Sequence, residues 1–114
     1  MELKQRVEKI WEDRSLLQQP ENQELIRSVI EKLDSGTLRV AEPVSDGWQV
    51  NEWIKKAVIM YFPIQQMETI EVGPFEFHDK IKLKKNYKDK GVRVVPHAIA
   101  RYGSYLSKGV IMMP

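Results

Sequence analysis

The sequence predicts an α+β fold. It reads as a small, mainly helical domain with a β-hairpin, ending in a stub of a hexapeptide-repeat β-helix. Three observations predict this. Apolar residues recur at helical spacing in three stretches before residue 63. Asp46-Gly47, a tight-turn signal, separates two short alternating runs. The last residues then change to a period of six.

Composition sets the bounds. The 114 residues suit one domain with a modest core, and the 42% apolar and 30% charged content is that of a soluble globular protein. The absence of Cys excludes a disulfide scaffold, a thiolate metal site and a Cys nucleophile. No apolar run approaches the roughly 20 residues of a membrane-spanning helix. The N-terminus lacks the hydrophobic stretch of a secretory signal, so a cytoplasmic protein is expected. A net charge of +2 makes no general case for nucleic acid.

Residues 2–14 predict the first helix, with Leu3, Val7, Ile10 and Trp11 as its apolar stripe. Residues 21–34 predict the second, with Leu25, Val29, Ile30 and Leu33 facing inward. Pro20 suits its first turn, Glu21 and Glu24 its positive end, and Gly36 its stop. The short linker implies an antiparallel helical hairpin. Residues 38–43 alternate and, with Trp48-Gln49-Val50, predict a β-hairpin. Asn51 is placed to cap a third helix over 52–62. Its wide apolar face makes it the most buried helix, and Pro63 stops it. Trp11, Trp48 and Trp53 are expected in the core.

Residues 64–78 read as loop and strand and fit neither period well. Residues 78–93 are strongly basic, and residues 92–95 read as a strand closed by Pro96. In the tail, Ala100, Leu106 and Met112 lie six apart, as do Ile99, Tyr105 and Ile111, and Gly103 and Gly109 keep the same interval. Each rung of such a solenoid buries its apolar side only against the next. The domain division expected is 1–97 for the α+β unit and 98–114 for the start of the solenoid.

Few residues carry chemistry. His78 and His97 have no ligand spacing for a metal, and the six glycines are too scattered for a phosphate loop. The largest local charge feature is Lys80, Lys82, Lys84, Lys85, Lys88, Lys90 and Arg93, interleaved with Tyr87. It reads as a solvated face or a rim that attracts an anionic metabolite, or alternatively as a surface for single-stranded nucleic acid. Arg93 sits among Val92, Val94 and Val95, where a guanidinium needs a partner. Its planar fork suits a carboxylate, either an internal Asp or Glu or one on a substrate. Arg101 in Ala-Arg-Tyr-Gly is a second candidate of the same kind.

Three stretches carry a family resemblance. They are GVRVVPHAIARYGSYLSKGVIMMP, LDSGTLRVAEP with DGWQVNEWIKKAV, and PFEFHDKI. Together, over nearly the whole chain, they resemble the tetrahydrodipicolinate N-succinyltransferase family. The resemblance implies a left-handed β-helix and a homotrimer. It implies transfer of succinyl from succinyl-CoA to the amino group of opened tetrahydrodipicolinate, in lysine and diaminopimelate synthesis. The Arg of the family's Gly-x-Arg-Val-Val-Pro stretch falls on Arg93, which is then expected to hold a substrate carboxylate. The family's acidic catalytic residues and CoA groove follow the point matching Pro114. No catalytic, cofactor-binding or metal-binding residue is therefore expected within these 114 residues, and the chain taken alone is expected to be inactive. This reading involves neither nucleic acid nor membrane. The other classes weighed are a protein-interaction or oligomerisation module and a single-strand binder using residues 80–93.

Overall fold

Helix α1 (Leu3–Glu12) turns Val7 and Ile10 inward, as their spacing requires. The computed structural model describes residues 2–114. At the start of α1, the Gln5 side chain accepts from the Glu2 N–H at 3.2 Å. The helix stops short of the expected residue 14 because Asp13 is extended, at φ −133°. Its carboxylate accepts from the backbone N–H of Ser15 at 3.2 Å. That bond opens a 3-10 turn, Arg14–Gln18, which buries Leu17. The linker is therefore structured rather than a plain connection.

Helix α2 (Pro20–Asp34) begins on Pro20 and buries Leu25, Ile26, Val29, Ile30 and Leu33. Gly36, at φ +81°, ends it. The N–H of Thr37 and the N–H of Leu38 then donate to the Lys32 carbonyl at 2.9 and 3.1 Å, capping the last turn.

Strands β1 (Ala41–Val44) and β2 (Gly47–Val50) pair antiparallel around Ser45-Asp46, with Pro43 opposite Trp48 and Ala41 opposite Val50. The first strand starts three residues later than expected, because Leu38 and Val40 pack on the core instead. Period-two alternation puts Ala41, Pro43, Trp48 and Val50 on one face, and all four are exposed. Trp48 is 70% exposed, against the expectation of a core Trp. The hairpin stands away from the helices, which leaves its indole nothing to pack on.

Helix α3 (Glu52–Tyr61) is the centre of the core. Ile54, Ala57 and Met60 are fully buried, and α1 and α2 both pack against it more than against each other. Asn51 does not cap it with its side chain. Its Nδ2 instead donates to the Arg39 carbonyl at 2.8 Å, tying the hairpin base to the preceding segment. A 3-10 turn, Phe62–Ile64, follows.

The stretch that fitted neither period is a second antiparallel hairpin, β3 (Glu68–Val72) and β4 (Phe75–Asp79), closed by Gly73-Pro74. One face carries Ile70 against Phe77 and Val72 against Phe75, and the other carries Thr69 against His78. A single helical turn, α4 (Tyr87–Lys90), lies between the left-handed residues Asn86 and Gly91. Strand β5 (Arg93–Val94) then pairs in parallel with β6 (Ile111–Met112).

In the tail the six-residue phase governs burial. Ala100 is buried and Leu106 and Met112 are half-buried, while Ile99, Tyr105 and Ile111 are exposed. Gly103 and Gly109 adopt φ +105° and +92°. Regular strand after residue 98 is limited to Ile111–Met112, short of the successive rungs that the period predicts.

Candidate functional site

The tail is fastened to the helical unit at the C-terminal end of α2. Lys84 is the buried charged residue of the described chain, and its Nζ donates to Asp34 Oδ1 at 2.6 Å. The same Oδ1 accepts from the backbone N–H of Gly103 at 2.8 Å. Tyr102 donates its hydroxyl to Glu31, one turn earlier on α2. The Lys84 N–H donates to the Ala100 carbonyl at 2.9 Å, and the Tyr102 N–H to the Lys82 carbonyl at 2.8 Å. Residues 100–102 thus run antiparallel along 82–84, and the strip is locked to α2. This arrangement removes Lys84 from the basic stretch, which is otherwise a solvated face as far as its exposed lysines Lys82, Lys85, Lys88 and Lys90 define it.

Arg101 lies within this strip, bridged to Leu83. Its Nη2 donates to Asp79 Oδ2 at 2.8 Å, between side chains that are nearly half exposed. The Asp79 carboxyl is held below its usual range, chiefly by the Lys80 backbone N–H and further by the Arg101 charge, against some desolvation.

Arg93 occupies a different setting. Its backbone N–H donates to the Val110 carbonyl at 3.0 Å in the β5–β6 ladder. Val92 before it is buried and Val94 after it half-buried, whereas Arg93 is exposed. Strand alternation turns the guanidinium to water, so the apolar neighbours do not strip its hydration. It forms no ion pair among the described residues, and the internal Asp or Glu weighed from the sequence does not materialise. Arg93 and Arg101 share no partner. One offers an open fork and the other a fork already filled by a carboxylate.

His78 Nδ1 lies 2.9 Å from the Thr69 hydroxyl across the second hairpin, and His97 is exposed. Among the described residues no three His, Asp or Glu side chains gather as metal ligands. No helix among them is long and apolar enough to cross a membrane.

Asp34 and Glu31 organise the site, and neither stands out among the many carboxylates of the first two helices. A signal for Asp34 was present. An acid in the last turn of a helix opposes the macrodipole, so it implies a compensating cation.

Comparison with known proteins shows the family to which the chain belongs. The family model described as tetrahydrodipicolinate N-succinyltransferase N-terminal matches residues 2–64. Relatives named 2,3,4,5-tetrahydropyridine-2,6-dicarboxylate N-succinyltransferase match nearly the whole chain. That of Pseudoalteromonas translucida is 37% identical over 123 residues, covering 99% of this chain and 45% of the relative. That of Variovorax paradoxus is 40% identical over 124 residues, with 99% and 45% covered. That of Acinetobacter baylyi is 40% identical over 118 residues, with 95% and 43% covered. The chain spans less than half the length of these relatives.

Proposed function

We propose, from the premise that this chain belongs to the tetrahydrodipicolinate N-succinyltransferase N-terminal family, that it forms the N-terminal part of a cytoplasmic, homotrimeric succinyltransferase. The whole enzyme would move succinyl from succinyl-CoA to the amino group of opened tetrahydrodipicolinate, in lysine and diaminopimelate synthesis. Acid–base chemistry and CoA recognition fall to residues other than these 114, so the chain alone would not turn over.

The observation that carries the reading is the open guanidinium of Arg93. It is exposed and has no carboxylate partner among the described residues, yet its strand is fixed in a ladder, the Arg93 N–H donating to the Val110 carbonyl and the Val95 N–H to the Met112 carbonyl. A rigid strand presenting an unfilled fork suits bidentate capture of a dicarboxylate substrate. Arg101 is the poorer ligand, since it would have to leave Asp79.

The division into residues 1–97 and a left-handed β-helix opening at 98–114 belongs to the same proposal. Its support is register. Arg93 pairs with Ile111 and Val94 with Met112, both 18 residues apart, which is three hexads. A coil of three six-residue sides returns the chain in parallel at that offset. The exposed apolar face of the first hairpin, Ala41, Pro43, Trp48 and Val50, favours an added role in contact with another subunit.

The test is Arg93→Ala in an enzyme of the relatives' full length. The expected result is a loss of about 10- to 100-fold in kcat/KM for the dicarboxylate, the scale of one charge-assisted pair, with KM for succinyl-CoA unchanged. Unaltered turnover and unaltered dicarboxylate KM would sink the assignment.

A further inference from the structure

Tyr61, the last residue of α3, is 7% exposed, yet its hydroxyl has no hydrogen-bond partner among the described residues. A phenol buried to this extent ordinarily finds one. No side-chain oxygen or nitrogen among the described residues is both sealed from solvent and unpaired. The Tyr61 Oη is therefore reached from open space, and Tyr61 lines two cavities, one of about 560 Å³ and a smaller one of about 190 Å³. The larger one gathers the charged side chains. Its walls come from α2, the end of α3, the base of the second hairpin and the 80–82 run.

The charges in those walls sort into filled and unfilled. Arg27 is filled, donating to Glu24 at 2.7 Å, to Gln65 at 3.1 Å and to the Ile64 carbonyl at 3.0 Å. Asp79 is filled by Arg101. The Lys80 ammonium meets only the Phe62 carbonyl, at 3.0 Å. The Lys82 ammonium lies 4.3 Å from the centre of the Tyr102 ring. Neither lysine has a carboxylate partner among the described residues, and Glu68 has no cation. The Tyr102 hydroxyl is already committed to Glu31. The lining thus includes two lysines without a carboxylate, one glutamate without a cation and one tyrosine with an unpaired hydroxyl.

We propose that this cavity binds a small organic anion, its carboxylate held by Lys80 and Lys82 and its second polar group accepting from the Tyr61 hydroxyl. The volume falls in the range of small-molecule sites. Burial raises the Tyr61 pKa, with Glu31 adding and Arg27 opposing, so the hydroxyl keeps its proton and acts as a donor. Glu68 gives an amino group on the ligand a place to bind. Arg93 takes no part, so the site stands or falls independently of the substrate assignment.

Titrating the chain with glutarate and with glutamate, followed by the amide resonances of Tyr61, Lys80 and Lys82, tests the proposal. Saturable shifts at those amides with either anion are expected. Tyr61→Phe, which keeps the buried ring, should weaken the affinity about tenfold, the worth of one hydrogen bond. Lys82→Gln, at an exposed position, should weaken it comparably. The proposal is overturned if neither anion saturates, or if the shifts spread evenly over the lysines at 85–90 and follow ionic strength alone. It is equally overturned if Tyr61→Phe binds as tightly as the parent, because that hydroxyl would then serve only water.

Discussion

Lys84 and Asp34 form an ion pair of 2.6 Å whose side chains are 3% and 19% exposed, and it joins the helical unit to the strip that carries Arg101. The pair sits 50 residues apart in sequence, so it closes a long loop with one contact. Asp34 also holds the Gly103 N–H, and its carboxylate is thereby shared between two tail attachments.

Removing one member strands the other. Lys84→Ala is expected to destabilise the fold by about 3 kcal/mol, because it leaves a mostly buried carboxylate without its cation. Lys84→Met, which fills the same space, should not rescue it while Asp34 keeps its charge. The double change Lys84→Met with Asp34→Leu should recover part of the loss, limited by the Gly103 N–H left without an acceptor. Urea unfolding of the three variants measures all of this through the midpoint at constant slope.

Alkaline pH should loosen the same region. Burial first, then the hydrogen bond to Glu31, pushes the Tyr102 pKa well above its ordinary value, and burial raises that of Tyr61 as well. A raised folded pKa means that the unfolded chain loses these protons first. The stabilisation is complete below the ordinary tyrosine pKa of about 10 and falls away as pH climbs beyond it. Thermal melts from pH 8 to 11 should show the decline, and Tyr102→Phe should make it shallower.

Met60 reports on the core. It is fully buried on α3, next to Ile59, which is 52% exposed. Met60→Ala should cost about 2–5 kcal/mol, and Ile59→Ala less than about 1 kcal/mol. Equal losses at the two positions would mean that α3 is rotated from the orientation described.

Gly36 is required twice over. Its φ of +81° disfavours a side chain, and a Cβ there would lie 2.8 Å from the Tyr105 ring. Gly36→Ala should therefore destabilise by about 1–2 kcal/mol, more than the same change at an ordinary loop glycine. Denaturation of Gly36→Ala with and without Tyr105→Ala separates the backbone part from the collision.

Much of the helical unit was legible in the sequence, because a stripe such as Leu25, Val29, Ile30 and Leu33 has a period that only one conformation satisfies. The hairpin at 68–79 was not. Its apolar positions, Ile70, Val72, Phe75 and Phe77, alternate correctly, but Gly73-Pro74 breaks the phase between the strands, and the exposed face removes the contrast between inside and outside. Asn51 misled for a related reason. A residue able to cap a helix is equally able to hold the Arg39 carbonyl, and only tertiary placement decides. At the candidate site, Arg93 was visible as a guanidinium among valines, whereas the Asp34–Lys84 pair depends on a long-range meeting that spacing does not encode.

The three indoles occupy three surroundings. Trp11 has the Arg14 guanidinium 3.6 Å from its ring centre and the Lys56 ammonium at 5.8 Å, Trp53 is half-buried against the core, and Trp48 projects into water from the first hairpin. The molecule thus carries a built-in optical reporter on its one exposed indole. Light emitted by Trp48 senses whatever settles on the Pro43–Val50 face, while the other two indoles register the integrity of the helices. Docking and unfolding would then appear as separate colour changes in a single spectrum, with no label attached.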